Sequence, residues 1–305
     1  MRQHGTVAMS PAAPLALSVL AFAAGWGLGV ADVGDFAPCL RFFYRSWPPK
    51  GLSGTPICQR YVNQYRYATL YSRPRRSPWF SAYLYEAPAG KRPSACWKFE
   101  PQLAYPAADG NMVRFPPGPL DPKVVESQEV DLDYINSSYS RGHLNPSLHH
   151  TSHEDRAATF SLTNVVPQKV GSNDGPWEKL EWTVNRTLSA YCLGDAYVVT
   201  GVIPYRTEEH WLKNHRVAVP EYLWSAYCCP RYNSSLPKEL KGTFPTYAAI
   251  GRNDPNSTEE IVPVNKTAKS KFRGYDVRRM SLQTLEMYLK DRFNTVVTVF
   301  YQLCS

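Results

Sequence analysis

Tyr139-Ser-Arg-Gly-His-Leu-Asn-Pro146, then Leu162-Thr-Asn-Val-Val-Pro-Gln168, then Asn173-Asp-Gly-Pro-Trp-Glu-Lys-Leu-Glu181, is the stretch on which the fold turns. In an extended segment Arg141 and His143 project from one face, with small Gly142 between them. A cation beside a base suits a phosphate diester. The third run passes from a turn into a helix, expected from about Pro176 to Leu188. Trp177, Leu180, Val184 and Leu188 recur at helical spacing, Pro176 suits the first turn, and Asn173 or Asp174 can cap it. Asn173, Trp177 and Glu181 then share one side. In a continuous helix Glu181 lies about 12 Å along the axis from Asn173, too far for both to touch one ion. The expected arrangement is Asn173 as direct ligand and Glu181 on bound water, which Mg²⁺ tolerates because it keeps most of its waters.

The surrounding chain sets the context. It has 305 residues, 43% hydrophobic and 20% charged, with mean hydropathy of −0.39, which excludes a disordered or multispan membrane protein. With 26 Pro, 20 Tyr, 12 Phe and 8 Trp against 18 Gly, a loop-rich α+β or β fold is expected rather than a helical bundle. The net charge of +8 is compatible with a polyanionic partner without requiring one.

Residues 1–31 read as a signal peptide: Arg2 precedes the apolar run Leu15–Ala24, glycines break it, and Gly29-Val30-Ala31 places small residues before a cut at Asp32. A secreted chain is expected, one domain over 32–305, with no membrane span in the mature part. All seven cysteines lie there, without zinc-ribbon spacing, so disulfides are expected. Vicinal Cys228 and Cys229 should take different partners, and the odd count leaves one thiol over or bridging to another chain. Sequons begin at Asn136, Asn185, Asn233, Asn256 and Asn265. Strands are expected in 67–71, 79–85, 196–200 and 295–301, and a second helix near Ser281–Phe293. His149, His150 and His153, lacking cysteine or carboxylate partners at ligand spacing, read as a solvated polar segment. Arg73, Arg75 and Arg76 with Trp79 read equally as a strip along a nucleic-acid backbone or as an exposed basic loop.

The motif string resembles the DNA/RNA non-specific endonucleases with a ββα-metal active site, whose pattern is D-R-G-H, N-x-x-P-Q, N and W-x-x-L-E. Ser140-Arg-Gly-His143, Asn164-Val-Val-Pro-Gln168, Asn173 and Trp177-Glu-Lys-Leu-Glu181 follow it, without a gap from Asn164 to Glu181. Phe42-Phe-Tyr44, Pro56-Ile-Cys-Gln-Arg-Tyr61, Tyr67-Ala-Thr-Leu-Tyr71 and Val217-Ala-Val-Pro-Glu221 look like the vertebrate endonuclease domain-containing 1 branch. The resemblance implies an α+β fold of the ββα-metal (His-Me finger) type, with a central antiparallel sheet and flanking helices. It implies a metal-dependent endonuclease acting on the phosphate backbone of DNA and RNA, with Mg²⁺ as cofactor, Mn²⁺ as a substitute and no nucleotide cofactor. By the same resemblance His143 is the general base, Arg141 stabilises the phosphate, Glu181 orients water, Asn164 supports the catalytic set and Asn173 binds the metal. Two positions depart from the pattern. Ser140 stands where the motif has Asp, which leaves a catalytically weakened or inactive extracellular nucleic-acid-binding relative as the alternative reading. Ala95 stands where a bacterial member has Arg, which leaves Arg92 or Lys98 to contact nucleic acid together with Arg141.

Overall fold

The computed structural model describes Met1 and residues 32–305, so the expected leader otherwise lies outside the described residues. The frame is a seven-stranded sheet, in spatial order Thr55–Tyr61, Gln64–Ser72, Ser77–Leu84, Tyr197–Ile203, Tyr222–Cys228, Thr246–Arg252 and Val277–Met280. Every neighbouring pair is antiparallel. Such sheets commonly leave one face to water; here both are covered. On one side Leu70, Phe80, Val199, Trp224 and Ile250 pack with Leu282, Leu285 and Leu289 of the helix Leu282–Phe293. On the other, Tyr83, Val198, Leu223 and Tyr247 pack with Trp177, Leu180, Val184 and Leu188, the last three from the helix Glu178–Tyr191. Burial on both faces is why the strand Tyr197–Ile203 reads as a nearly continuous apolar run. Within it, a Cβ on Gly201 would stand 2.6 Å from the Trp224 ring and 2.5 Å from the Trp79 carbonyl, so only glycine lets the indole lie across the strand.

The α+β architecture matches the expectation, and so does the cysteine reading. Consecutive residues at a strand end face opposite sides. Cys228 accordingly joins Cys304 on one side and Cys229 joins Cys192 on the other; Cys39 pairs with Cys58, and Cys96 is free. The helix expected near Ser281–Phe293 is present, its Ser281 hydroxyl accepting from the Thr284 amide at 3.2 Å. The strand expected over 295–301 is not. Val297 and Val299 are buried as an alternating pattern requires, but the segment makes a single bridge, Lys50 to Thr298, and ends in a tight turn at Tyr301–Cys304. Alternation shows which side chains are buried and not whether a neighbouring strand is there to pair. Among the described residues no helix is long and apolar enough to cross a membrane.

Candidate active site

The motif residues form a unit of two strands and a helix on the face of the sheet covered by Glu178–Tyr191. Tyr139–His143 pairs antiparallel with Val165–Lys169, setting Ser140 opposite Gln168 and His143 opposite Val165. A Cβ on Gly142 would stand 2.1 Å from the Gln168 side-chain oxygen, so glycine lets the glutamine fold across the hairpin. Asn253 ties the hairpin to the sheet: its Nδ2 donates to the carbonyls of Pro167 and Pro220, and its Oδ1 accepts from the Lys169 amide.

The helix does not run unbroken from Asn173. Residues Asn173–Trp177 form a wide π turn, with Gly175 at φ −140° and ψ −120°, before the regular helix begins at Glu178. A non-helical glycine followed by proline interrupts the ladder, so neither Asn173 nor Asp174 caps the helix. Instead Asn173 Nδ2 donates to Ser140 Oγ at 3.1 Å, while Ser140 Oγ donates to the Gln168 carbonyl at 3.0 Å. A hydroxyl has one proton. Because it goes to Gln168, Ser140 can only accept from Asn173, so the amide nitrogen must face the serine and Oδ1 is left free.

One cleft of about 590 Å³ gathers Ser140, Arg141, His143, Asn173 and Glu181, with Arg92, Trp97, Phe160 and Trp182 in its walls. The His143 ring lies against Trp97 at 5.5 Å and meets Phe160 edge-on at 5.2 Å. Burial, with Arg92 nearby, pushes its pKa down to about 3. The Arg141 guanidinium sits between the rings of Trp97 and Tyr134, at 5.3 and 4.8 Å, and pairs with Asp131 at 2.7 Å. Burial and the adjacent Glu178 raise Glu181 to about 8, opposed by Arg92 and Trp177. His149 supports this helical turn. Its Nε2 is 3.0 Å from the Glu181 carbonyl, which can only accept, so Nε2 carries the proton and Nδ1 accepts from the Tyr83 hydroxyl at 2.8 Å.

Several expected residues lie elsewhere. Lys98 does not reach the cleft. Neighbours along an extended segment face opposite ways, so Trp97 lines the cleft while Lys98 is buried, its Nζ donating to the carbonyls of Ala157 and Cys96 over the Tyr61 ring, with its pKa pushed down to about 8 by burial. The cation at this wall is exposed Arg92, on a loop held by Arg156 through the carbonyls of Ala89 and Gly90. Asn164 is fully buried and tied to Ser81, Asn145 and Thr159, so it positions the hairpin without touching the cleft. His149 and His150 are buried and hydrogen-bonded rather than solvated, whereas His153 is exposed. Arg75 is buried in a pair with Glu209 and Arg76 donates to the carbonyls of Glu126 and Arg216, so these two turn back onto the protein, while Arg73 is exposed. Asn136, Asn233, Asn256 and Asn265 are exposed, but Asn185 is buried on the helix and accepts from the Tyr85 hydroxyl at 2.7 Å, which takes its sequon out of reach. Asp131, Phe160 and His149 carry no spacing signal in the sequence, and tertiary packing alone brings them to the site; of the two cations offered in place of Ala95, Arg92 reaches it and Lys98 does not.

The buried titratable groups fix a stability profile. Burial raises Glu100 and Glu181 to about 8 and Glu129 well above its usual range. Each costs stability as pH rises from the unfolded value of about 4.3. Burial lowers His143, His149 and His150 to about 3, 4 and 3, so each costs stability as pH falls from about 6.5. Between those two unfolded values, about 4.3 and 6.5, the trends oppose. In EDTA the melting temperature should be flat in that window and lower on both sides; melting that climbs from pH 6.5 to about 8 would contradict the assignment.

The donor set bears on the metal. Among the described residues no group of three or more His, Cys, Asp and Glu gathers to hold an ion. What the cleft offers is oxygen, from Asn173 Oδ1 and the Glu181 carboxylate, which fits a hard divalent cation that retains its waters. Replacing Ser140 by Ala frees the Asn173 amide to turn. It should raise the Mg²⁺ concentration for half-maximal binding roughly two- to tenfold, the worth of one hydrogen bond. Ser140→Asp, which keeps an acceptor facing Nδ2 and adds charge, should lower it. Identical Mg²⁺ titrations for Ser140→Ala and the parent would show that the serine orients nothing.

Two antiparallel strands and a helix bringing arginine, histidine, asparagine and glutamate into one cleft define the ββα-metal nuclease fold. The chain belongs to the DNA/RNA non-specific endonuclease family, whose profile matches residues 51–281. The Endonuclease domain-containing 1 proteins of Mus musculus and Homo sapiens are each 34% identical to it, over 201 and 214 residues, covering 64% of this chain and 39% of theirs. The mitochondrial nuclease EXOG of Mus musculus is 29% identical over 147 residues, 45% of this chain and 39% of that protein. The matched region thus spans about 39% of the length of these relatives.

Proposed function

We propose that the chain is a secreted, Mg²⁺-dependent, sugar-non-specific endonuclease that hydrolyses phosphodiester bonds in DNA and RNA. The observation that carries this reading is the convergence of Arg141, His143, Asn173 and Glu181 on one cleft. His143, kept neutral by burial, takes the proton of the attacking water. Arg141, released from Asp131 as phosphate arrives, faces the charge that builds on the phosphoryl oxygens, and Arg92 supplies the cation that Ala95 does not. Asn173, through Oδ1, and Glu181, through a water, would hold the cation. Bound Mg²⁺ would polarise the phosphate and ease departure of the 3′ oxygen. None of these groups reads a base edge, so cleavage is independent of sequence. The weakened-relative alternative rests on Ser140, and the Ser140–Asn173 hydrogen bond favours activity, since orienting the amide needs no charge at that position. Three disulfides and four exposed sequons support export. The test is digestion of plasmid, the same DNA denatured, and RNA. Cutting of both DNA and RNA in Mg²⁺ and of neither in EDTA is expected; cutting undiminished in excess EDTA would overturn the mechanism.

A further inference from the structure

Asn173 stands on the part of the site least able to hold itself. The π turn Asn173–Trp177 carries two non-helical residues, Asp174 at φ −92° and ψ 22° and Gly175 at φ −140° and ψ −120°, so no regular hydrogen-bond ladder fixes it. Glycine also has the most backbone freedom to lose. The hairpin ties the turn on one side, where Gln168 Nε2 donates to Ser172 Oγ at 3.0 Å and Asn173 Nδ2 donates to Ser140. A second support comes from the connection between the strands Thr246–Arg252 and Val277–Met280. A Cβ on Gly175 would stand 2.7 Å from the Phe272 ring, and one on Gly171 would meet the Tyr275 ring and, at 2.8 Å, the Lys271 carbonyl. Aromatic rings thus lie directly on the glycines that precede and follow Asn173 by two residues. The rings are themselves anchored. Arg252 Nε donates to the carbonyl of Gly274, which lies between them in the chain, and the Tyr275 amide donates to the Phe272 carbonyl at 3.1 Å.

We propose that Phe272 and Tyr275 are positioning residues for the metal ligand: their rings press the π turn against the hairpin and keep Asn173 Oδ1 presented to the cleft. The inference rests on the nuclease reading, in which Asn173 and Glu181 hold a hard divalent cation, and adds the support that the hairpin does not supply. Neither ring lines the cleft, so both act through the turn. Both are only partly buried, so truncating one empties little of the core and releases the glycine beneath it instead. With one direct protein ligand, cation affinity depends on where that ligand points, and contacts that orient a ligand are commonly worth about 10–100-fold in metal affinity.

Metal affinity measured without nucleic acid separates positioning from catalysis and from stability. Mn²⁺ is titrated into the disulfide-intact protein and the free ion followed by electron paramagnetic resonance, with Mg²⁺ as competitor. Phe272→Ala and Tyr275→Ala should each weaken Mn²⁺ binding about tenfold, and Phe272→Tyr, which keeps the ring, should bind as the parent does. Phe272→Leu, which keeps apolar bulk without the flat ring, should fall between, and it decides the matter if the alanine variant does not fold. Phe293→Ala removes a partly buried ring that packs on the other side of the sheet; it should lower the melting temperature and leave Mn²⁺ affinity unchanged. In cleavage, Phe272→Ala should need about tenfold more Mg²⁺ for half-maximal rate and regain most of the parental kcat at saturation. Parental Mn²⁺ affinity in folded Phe272→Ala and Tyr275→Ala, or the same loss in Phe293→Ala, would overturn the proposal. Weakened Mn²⁺ binding in these variants of a parent that cuts nothing keeps this inference and overturns the nuclease reading; parental Mg²⁺ dependence in Phe272→Ala beside an active parent keeps that reading and overturns this inference.

Discussion

Replacing His143 by Ala is expected to slow cleavage by ~10²–10⁴-fold, the usual worth of a positioned general base. Folding should survive. The ring lies on the cleft wall against Trp97 and Phe160 and is only half-buried, so its removal leaves space that opens toward solvent. Its lowered pKa means that the folded state pays for keeping it neutral in acid, so below pH ~6.5 the variant should melt no lower than the parent. Arg141→Ala should differ in kind, weakening phosphate binding and flattening its salt dependence by about one counterion. Because burial holds the His143 pKa below its ordinary value, loss of activity from its protonation should set in below pH ~6.5. Parental rates in folded His143→Ala protein would remove the histidine from the mechanism.

The largest expected loss of stability comes from Arg252, on the strand Thr246–Arg252. It is 1% exposed and has no carboxylate partner among the described residues. A guanidinium has five N–H donors, and here they serve the five backbone carbonyls of Gly274, Thr258, Val262, Pro255 and Ser257. The long connection after the strand is thereby wound around one side chain. Arg252→Met would leave four of those carbonyls without a partner at ~1–3 kcal/mol each where they are buried, Thr258 still accepting from the Tyr222 hydroxyl. Even partial relaxation brings the cost to about 5 kcal/mol, a large share of the ~5–15 kcal/mol that holds a domain folded. Arg252→Lys, with a charge but three donors, should fall between. Denaturant unfolding within about 1 kcal/mol of the parent for Arg252→Met would contradict this account. The loss should also reach the site, since Asn253, the next residue, anchors the hairpin.

The hairpin and helix were legible in the sequence because their chemistry fixes their intervals: Arg141 and His143 must share a strand face, and Asn173 and Glu181 must straddle one turn-to-helix junction. The separate partners of Cys228 and Cys229 were likewise expected from their adjacency, and the strand end at Cys228 supplies the reason. What escaped depends on partners distant in the chain. The parity of Lys98 against Trp97 is set by a two-residue strand, too short to announce its register. Residues 295–301 have the burial pattern of a strand without a neighbour to pair with. Asn185 matches an acceptor sequence for glycan, yet lies on the buried side of its helix facing Tyr85. His149 and His150 read as polar because nothing nearby in sequence satisfies them, and Tyr83, Asn145 and the Glu181 carbonyl do so only after folding. Arg92 shows the same limit from the other side: of the two cations offered in place of Ala95, tertiary packing alone decides for this one, which arrives from a loop, three residues before the position where the motif would place it.

The central claim is that hairpin and helix contribute to a single hydrolytic site, and a double-substitution cycle tests it most directly. Single-turnover cleavage of denatured DNA in saturating Mg²⁺ is measured for the parent, His143→Ala, Glu181→Gln and the double variant, all with the three disulfides intact. Groups that act as a unit give strongly non-additive losses. The double variant is therefore predicted to cut within about tenfold of the slower single variant. Losses that multiply across the two substitutions, or a parental rate in either single variant, would contradict a shared site.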